Sequence, residues 1–364
     1  MAESFEFFVR TSTGTYVVRV GKGVANEALQ TADTPCLIDA HLLTLYPHLA
    51  NAHCVPQTAQ ESAKNLDSVG NVIERLRDLG AHRQSHLVAI GGGIVQDVAT
   101  FAASSYMRGI SWTYCPTTLL GMVDSCIGGK SSLNVGRYKN IAGNFYPPQQ
   151  VLVDTDFCST LSLNQKVEGL LEAVKICYAE SGDAFARYLS LMPAEAPLHP
   201  SYDLVNVIAL SLKTKKSFIE KDEFDNDIRQ LLNFGHTFGH ALEGASGFSI
   251  SHGIAVGLGM LAALHFSETQ GLIDARNPRA AALAQHIRKL FALLPGLAEK
   301  LADFSIGQAM SAFMSDKKHT SDSLRLILFD STGHLFRHHI PHSTQSHTSI
   351  QNAFAYLKSI AHEI

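Results

Sequence analysis

Apolar and polar positions alternate over residues 5–20, a stretch rich in Phe, Val and Thr around Thr13-Gly14-Thr15, so the chain opens on a predicted β-hairpin. Thr34-Pro35 leads into a short apolar strand, Cys36-Leu37-Ile38, closed by Asp39. Apolar residues recur at helical spacing from Leu66 to Leu79. His86 to Ile90 reads as a strand, Gly91-Gly92-Gly93 as a turn, and Val95 to Met107 as a helix. Further strands follow at 110–115, ending at Pro116-Thr117-Thr118, and at 150–153, ending at Asp154. Strands alternating with helices predict a mostly parallel sheet covered on both faces. From Gln165 the period changes. Helical spacing runs through 165–181, 201–221, 228–245, 253–271 and 279–302, with one strand-like run from Leu324 to Phe329. The expected architecture is an α/β N-terminal domain over 1–160 and an all-α C-terminal domain over 161–364.

A chain of 364 residues has room for two cores. A net charge of -4 makes no case for nucleic acid or an anionic membrane surface, though a local basic pocket remains compatible with it. The six cysteines are scattered without a C-x-x-C pair, which argues against a disulfide framework and a cysteine zinc site. Glu3 and Glu6 stand where a secretory leader carries basic residues, and no run approaches the roughly 20 apolar residues of a membrane span. The expected location is the cytoplasm.

Candidate chemistry in the first domain gathers at predicted strand ends. Gly91-Gly92-Gly93 would let backbone approach a diphosphate. Asp39 could take ribose hydroxyls, and Thr117 and Thr118 could meet a phosphate or a nicotinamide amide. A second loop, Asp124 to Asn140, carries Gly128-Gly129-Lys130 and Lys139; it lacks P-loop spacing, but its lysines and asparagine suit a phosphate monoester. Arg108 could add a further cation.

In the helical part, His236 and His240 are four apart and share a helix face, with Asn233 and Arg229 expected on preceding turns of the same helix. His252 follows a Gly/Ser-containing break. Glu172 and Lys175 lie three apart among Leu170, Leu171, Val174 and Ile176. One carboxylate and two imidazoles would make a catalytic zinc set with room for substrate. Spacing alone nominates His236 with His240 and does not choose between His240 and His252.

The motifs GGGIVQD, YMRG, PTTLLGMVDSCIGGKSSLN, KNIAGNFYPP, LLEAVK, LLNFGHTFGHALE and SHGIAVG together resemble the 3-dehydroquinate synthases, within the sugar phosphate cyclases, from about Asp39 to Phe329. The resemblance implies a Rossmann-like NAD domain, a helical metal domain and a homodimer. It makes Glu172, His236 and His252 the zinc (or cobalt) ligands and His240 a supporting or proton-relay group. It places Asp39, Glu61, Lys64, Gly91, Gly92, Gly93, Asp97, Thr117, Thr118, Thr160 and Leu161 around NAD, with Lys130 and Lys139 serving both cofactor and substrate. Asp124, Asn140, Lys175, Lys215, Arg229 and Asn233 match substrate positions, as does one lysine of Lys317-Lys318, and Arg108 matches a residue that reaches the neighbouring subunit's substrate.

The implied activity is conversion of 3-deoxy-D-arabino-heptulosonate 7-phosphate into 3-dehydroquinate and phosphate. The alternatives are another sugar phosphate cyclase, of the aminodehydroquinate, 2-epi-5-epi-valiolone or 2-deoxy-scyllo-inosose type, or a metal-dependent NAD alcohol dehydrogenase. Gln96, Ile254, Ser162 and Asn164 depart from the family's usual residues without removing a ligand or a lysine.

Overall fold

The computed structural model describes residues 3–29, 34–136, 138–192, 202–316 and 318–363. These residues form two compact units: Met1–Ser162 with Asp203–Glu223, and Leu163–Tyr202 with Phe224–Ile364.

The first unit is built on strands β1 (Phe5–Thr11), β2 (Gly14–Gly21), β3 (Cys36–Asp39), β4 (Cys54–Gln57), β5 (His86–Gly91), β6 (Ser111–Pro116) and β9 (Gln150–Asp154), in the order β1-β2-β9-β6-β5-β3-β4. Only β1, the partner of β2 in the opening hairpin, runs antiparallel. The central strands are buried along nearly their whole length, with Leu87, Ala89, Ile90, Tyr114 and Val153 at 0% exposure, as a sheet covered on both faces requires. The chain leaves β3 for β4 at the edge and returns to β5 on the other side of β3. This is a topological switch, and its crevice lies at the carboxyl ends of the strands. Asp39, Gly91 and Pro116 end β3, β5 and β6 there.

Two helices flank the switch. Leu66–Asp78 is capped by the Asn65 side chain, which accepts from the Ser68 amide, and it buries Val69, Val72 and Leu76. Gly93–Ser105 follows β5 directly. A third helix, Val205–Ile219, also belongs to this unit, whereas the sequence pattern assigns it to the helical domain. It packs on the turn after β6, where the Ser211 hydroxyl donates to the Val123 carbonyl at 2.9 Å. The following residues Glu220 and Glu223 accept the backbone amides of Arg10 and Ser12. Periodicity identifies a buried helix but not the surface that buries it, and these partners lie 88 to 211 residues away in sequence.

The second unit is mainly helical. It contains Leu163–Ala179, Ala184–Leu191, His236–Ala245, His252–Thr269, Pro278–Phe291, Leu297–Asp303, Ile306–Met314 and Thr344–Ser359. It is not purely α: β10 (Ser323–Phe329) pairs with β11 (Leu335–Pro341) in an antiparallel hairpin. The histidines of β11 disguise its alternation, so only β10 is legible in the sequence. Two expected helices are also interrupted. The run over 279–302 breaks at Gly296, which has φ 80°. The run over 228–245 is a 3-10 turn, Ile228–Asn233, followed by Gly235 at φ 77° and then the helix from His236.

The break at Gly235 has a packing cause. A Cβ there would lie 2.6 Å from the Val256 carbonyl oxygen, so only glycine lets the chain turn against the His252–Thr269 helix. That helix is apolar on every side and buried through most of its length, the mark of a central helix.

Candidate functional sites

In the first unit, the β5 turn leaves space where a ligand's phosphates would need it. Gly92 caps the Gly93–Ser105 helix with no side-chain hydrogen bond, and a Cβ on Gly93 would meet nothing within 4 Å. The helix therefore offers its N-terminal amides and positive dipole end to an anion. Thr118 lies against Gly92, whose Cβ would touch the Thr118 methyl at 3.0 Å, and the Thr117 amide donates to the Gly91 carbonyl at 3.1 Å. Asp39 stands at the end of β3, its carboxylate accepting from the His41 amide at 2.9 Å.

Around this turn the structure assembles a polar network from residues far apart in sequence. Lys64 is buried; its ammonium lies 3.1 Å from Asp97 and donates to Asn140 Oδ1 at 2.6 Å. Glu61 lies 3.9 Å from Lys64 and 4.0 Å from Lys139, and Asn134 donates to it at 2.8 Å. Burial pushes the Asp97 carboxyl upward, and the Lys64 charge pulls against it. Lys139 and Asn140 sit on β8 (Tyr138–Ala142), which pairs with β7 (Leu133–Val135), and Asn140 has φ 53°. This small hairpin is absent from the sequence reading because its outward positions are also apolar: Val135, Tyr138 and Ile141 are exposed. Thr160 bonds the Tyr46 hydroxyl at 3.1 Å, and Leu161 follows it. Lys130 lies beside the Phe145 ring. Arg108 is exposed at φ 67° on the turn after the Gly93–Ser105 helix.

Asp124 lies in the turn Gly121–Ser125, which closes with a Cys126 amide to Gly121 carbonyl bond at 3.1 Å. Lys215, on the Val205–Ile219 helix, ion-pairs with its carboxylate and donates to its carbonyl at 2.7 Å. The two residues stand far apart in the sequence, and the structure joins them in one ion pair.

In the second unit, four candidate groups converge. Glu172 is 1% exposed, and its Oε1 lies 3.4 Å from His252 Nε2 and 3.9 Å from His236 Nε2. Its other oxygen ion-pairs with Lys175, itself 2% exposed, one turn along the same helix. His236, His240 and His252 each offer a ring nitrogen within 4.8 Å of the others. Neither buried oxygen of Glu172 has a hydrogen bond of normal geometry: Lys175 meets one as an ion pair, and the other faces the imidazoles. A carboxylate taken out of water without hydrogen bonds is costly unless a cation meets it. The donor set of one carboxylate and imidazoles suits a divalent ion such as zinc.

The rings differ in electrostatics. Burial, then Lys175 and the neighbouring imidazoles, hold His236 well below the usual histidine range, leaving it neutral with a lone pair free to ligate. Burial also works against a charged His252, but the Glu172 and Glu243 carboxylates beside it outweigh burial and shift that ring upward. His240 is the exposed member of the three. The protein packed about its ring, then Lys318 and His252, lower it.

Two supporting groups escape the sequence reading. Glu243 accepts from His252 Nδ1 at 3.1 Å, and the Phe234 carbonyl faces His236 Nδ1 at 3.2 Å. Each would fix a ring so that the other nitrogen points at the shared space. Glu243 lies three residues beyond His240, so helical spacing carried a signal for it; a backbone carbonyl carries none.

Arg229 is 3% exposed, and the Asn233 amide donates to the Gln230 carbonyl at 3.2 Å. Both lie on the 3-10 turn before Gly235, so the expected single helix carrying them with His236 does not form. Lys318 pairs with Asp316 at 3.6 Å, and Lys317 lies outside the described residues. Among the described residues no helix is long and apolar enough to cross a membrane.

Comparison with known proteins finds two family models in succession along the chain. Residues 54–168 match the 3-dehydroquinate synthase N-terminal family model and residues 169–319 the C-terminal one. A 3-dehydroquinate synthase of Xanthomonas oryzae pv. oryzae (strain PXO99A) is 37% identical over 310 residues, covering 81% of this chain and 80% of its own. The chain belongs to the 3-dehydroquinate synthase family.

Solved structures share the fold across nearly the whole family member. A 2-deoxy-scyllo-inosose synthase complexed with carbaglucose-6-phosphate, NAD+ and Co2+ superposes with a TM-score of 0.81 at 23% identity, covering 97% of this chain and 99% of its own. The 2-epi-5-epi-valiolone synthase of Streptomyces hygroscopicus subsp. jinggangensis 5008, with NAD+ and Zn2+ bound, gives 0.78 at 25% identity, covering 94% and 97%.

Proposed function

We propose that this family member is a 3-dehydroquinate synthase, converting 3-deoxy-D-arabino-heptulosonate 7-phosphate to 3-dehydroquinate and inorganic phosphate in the shikimate pathway. The observation that carries the reading is the buried carboxylate of Glu172, ion-paired with Lys175 through one oxygen and facing His236 and His252 with the other, in a chain whose relatives of that name match it over most of their length. Glu172, His236 and His252 would hold the divalent ion. Gly91-Gly92-Gly93, Asp39, Thr117, Thr118, Thr160, Leu161 and the Glu61–Lys64–Asp97 network would hold NAD. When bound, NAD supplies a reversible hydride acceptor, and the ion acidifies the hydroxyl that is oxidised.

The side chains account for the rest. Arg108, Lys130, Lys139, Lys175, Lys215 and Arg229 would neutralise a phosphate monoester and a carboxylate, with Asp124, Asn140, Asn233 and a lysine of Lys317-Lys318 orienting the ring. Oxidation next to the carbon that must lose a proton acidifies that C–H. The proton and the phosphate then leave by β-elimination, with the departing phosphate able to take the proton. Return of the hydride, ring opening and an aldol closure complete the carbocycle with no net redox change. His240, with its path to solvent, would relay protons. The working form would be a cytoplasmic homodimer in which Arg108 reaches the partner's substrate.

Purified protein supplied with NAD and zinc or cobalt is expected to release phosphate from the seven-carbon keto-acid phosphate while NADH stays at trace level. Stoichiometric NADH would instead identify a dehydrogenase. Release from sedoheptulose 7-phosphate alone would move the substrate to one lacking the carboxylate.

The ligand assignment has its own test. His252→Ala is expected to lose bound metal and His240→Ala to retain it, measured by metal analysis after gel filtration; the reverse pattern overturns the assignment. Glu243→Gln should weaken metal binding about tenfold to hundredfold through loss of its hold on His252.

A further inference from the structure

Gln96 and Asp97 are consecutive on the Gly93–Ser105 helix, and Gln96 is 5% exposed. The Gln96 side-chain NH2 donates to the Ser125 carbonyl at 2.7 Å, and its Oε1 accepts from the Ser125 hydroxyl at 2.7 Å. Asp97 accepts from the Ser132 amide at 2.9 Å. The segment between, which carries Gly128-Gly129-Lys130, is thus pinned at both ends by adjacent side chains of one helix. From another helix, Lys215 holds the carbonyl and carboxylate of Asp124.

A buried glutamine needs partners, and any donor and acceptor would satisfy it. Here both of its polar atoms are spent on one residue, the one beside Asp124. The turn Gly121–Ser125 explains why. Its wide hydrogen-bonded ring ends at Cys126, and the carbonyls of a helix end have no partner within their own turn. Lys215 supplies the Asp124 carbonyl and Gln96 supplies the Ser125 carbonyl, so two neighbouring peptides are clamped from two helices.

We propose that Gln96 is a positioning residue that sets the Ser125 peptide, and with it the aim of the Asp124 carboxylate against Lys215 and the course of the Gly128-Gly129-Lys130 loop. The inference rests on the reading of Asp124, Lys130 and Lys215 as substrate contacts. It assigns Gln96 no contact with substrate.

Gln96→Met keeps the length and helix preference of the side chain and removes both bonds, while Ser125→Ala removes only the hydroxyl bond. Gln96→Met is expected to lower kcat for phosphate release about tenfold to hundredfold, because small misplacements of catalytic groups cost rates of that order. The KM for NAD should change less than kcat, since the glycine turn is untouched and Lys130 is the one cofactor-side group carried on the clamped segment. Ser125→Ala should fall between wild type and Gln96→Met. Amide hydrogen exchange across 121–132 should quicken several-fold in Gln96→Met, with the Leu66–Asp78 helix unchanged.

Wild-type kcat together with wild-type exchange in 121–132 would overturn the proposal. So would a loss of kcat that merely tracks the folded fraction and is restored on cooling. If wild type itself releases no phosphate, the proposed function fails on its own account. The exchange pattern then still judges the clamp, an unchanged segment overturning it.

Discussion

Glu172→Ala is expected to strip the second unit of its metal and to destabilise it by about 3–5 kcal/mol, the usual cost of removing one partner from a buried ion pair. Glu172 and Lys175 are 1% and 2% exposed and touch along one face of the Leu163–Ala179 helix. Alanine leaves the Lys175 ammonium without that carboxylate, on a stretch of helix where Leu170, Leu171, Val174 and Ile176 are all fully buried. It also removes the oxygen that His236 and His252 face at 3.9 and 3.4 Å. Glu172→Gln separates the two effects: it keeps the volume, loses the charge, and should lose metal while retaining more stability than alanine. Urea unfolding and metal analysis read the outcome. Full metal occupancy in the alanine variant, or unfolding within about 1 kcal/mol of wild type, would remove Glu172 from the ligand set.

Gly259→Ala is the second large effect, and it acts on backbone. A Cβ at Gly259 would lie 2.0 Å from the Gly235 carbonyl oxygen and 2.8 Å from the Gly239 amide nitrogen. The contacts recur in the other direction, where a Cβ on Gly239 would lie 2.9 Å from the Ala255 carbonyl oxygen. No side chain can rotate out of such a clash, so the two helices must separate. His236 begins one of them and His252 begins the other. We expect about 3 kcal/mol of destabilisation, at the upper end for an overpacked core. Metal retention should fall as well, because His236 and His252, the proposed ligands, move apart with their helices. Gly244→Ala provides the control. It lies on the same helix as His236, its Cβ would meet only Ala312 at an ordinary 3.7 Å, and it should gain about 0.5–1 kcal/mol from helix preference. Equal behaviour of the two variants would show that close helix crossing does not hold the histidines together.

The legible parts of this chain were those where side-chain pattern and local geometry coincide. The parallel sheet is legible in the apolar runs that lead up to Asp39, Gly91 and Pro116, because a strand buried on both faces is apolar throughout. His236 and His240 share a face because four residues make about one turn. The hairpin strand β11, the β7–β8 pair and the break at Gly235 were not legible. The two hairpins are local, and composition hides them: histidines disguise the alternation of β11, and exposed apolar residues blur β7–β8. Only the break at Gly235 is decided at a distance, by packing against a helix twenty residues downstream.

By itself the sequence determined the residue types of both sites, the strand ends that carry the groups proposed to hold a dinucleotide, and a resemblance that proposed roles for them. Only the tertiary structure decided which groups meet. It brought Glu172 within reach of His236 and His252 and gave Glu243 to His252. It joined Lys64 to Asp97 and Asn140, and it moved the Val205–Ile219 helix, with Lys215, into the first unit beside Asp124. The physical reason is common to all of these. Periodicity reports which face of an element is buried, while the partner is chosen by steric fit and by the need of every buried charge and carbonyl to find a counterpart.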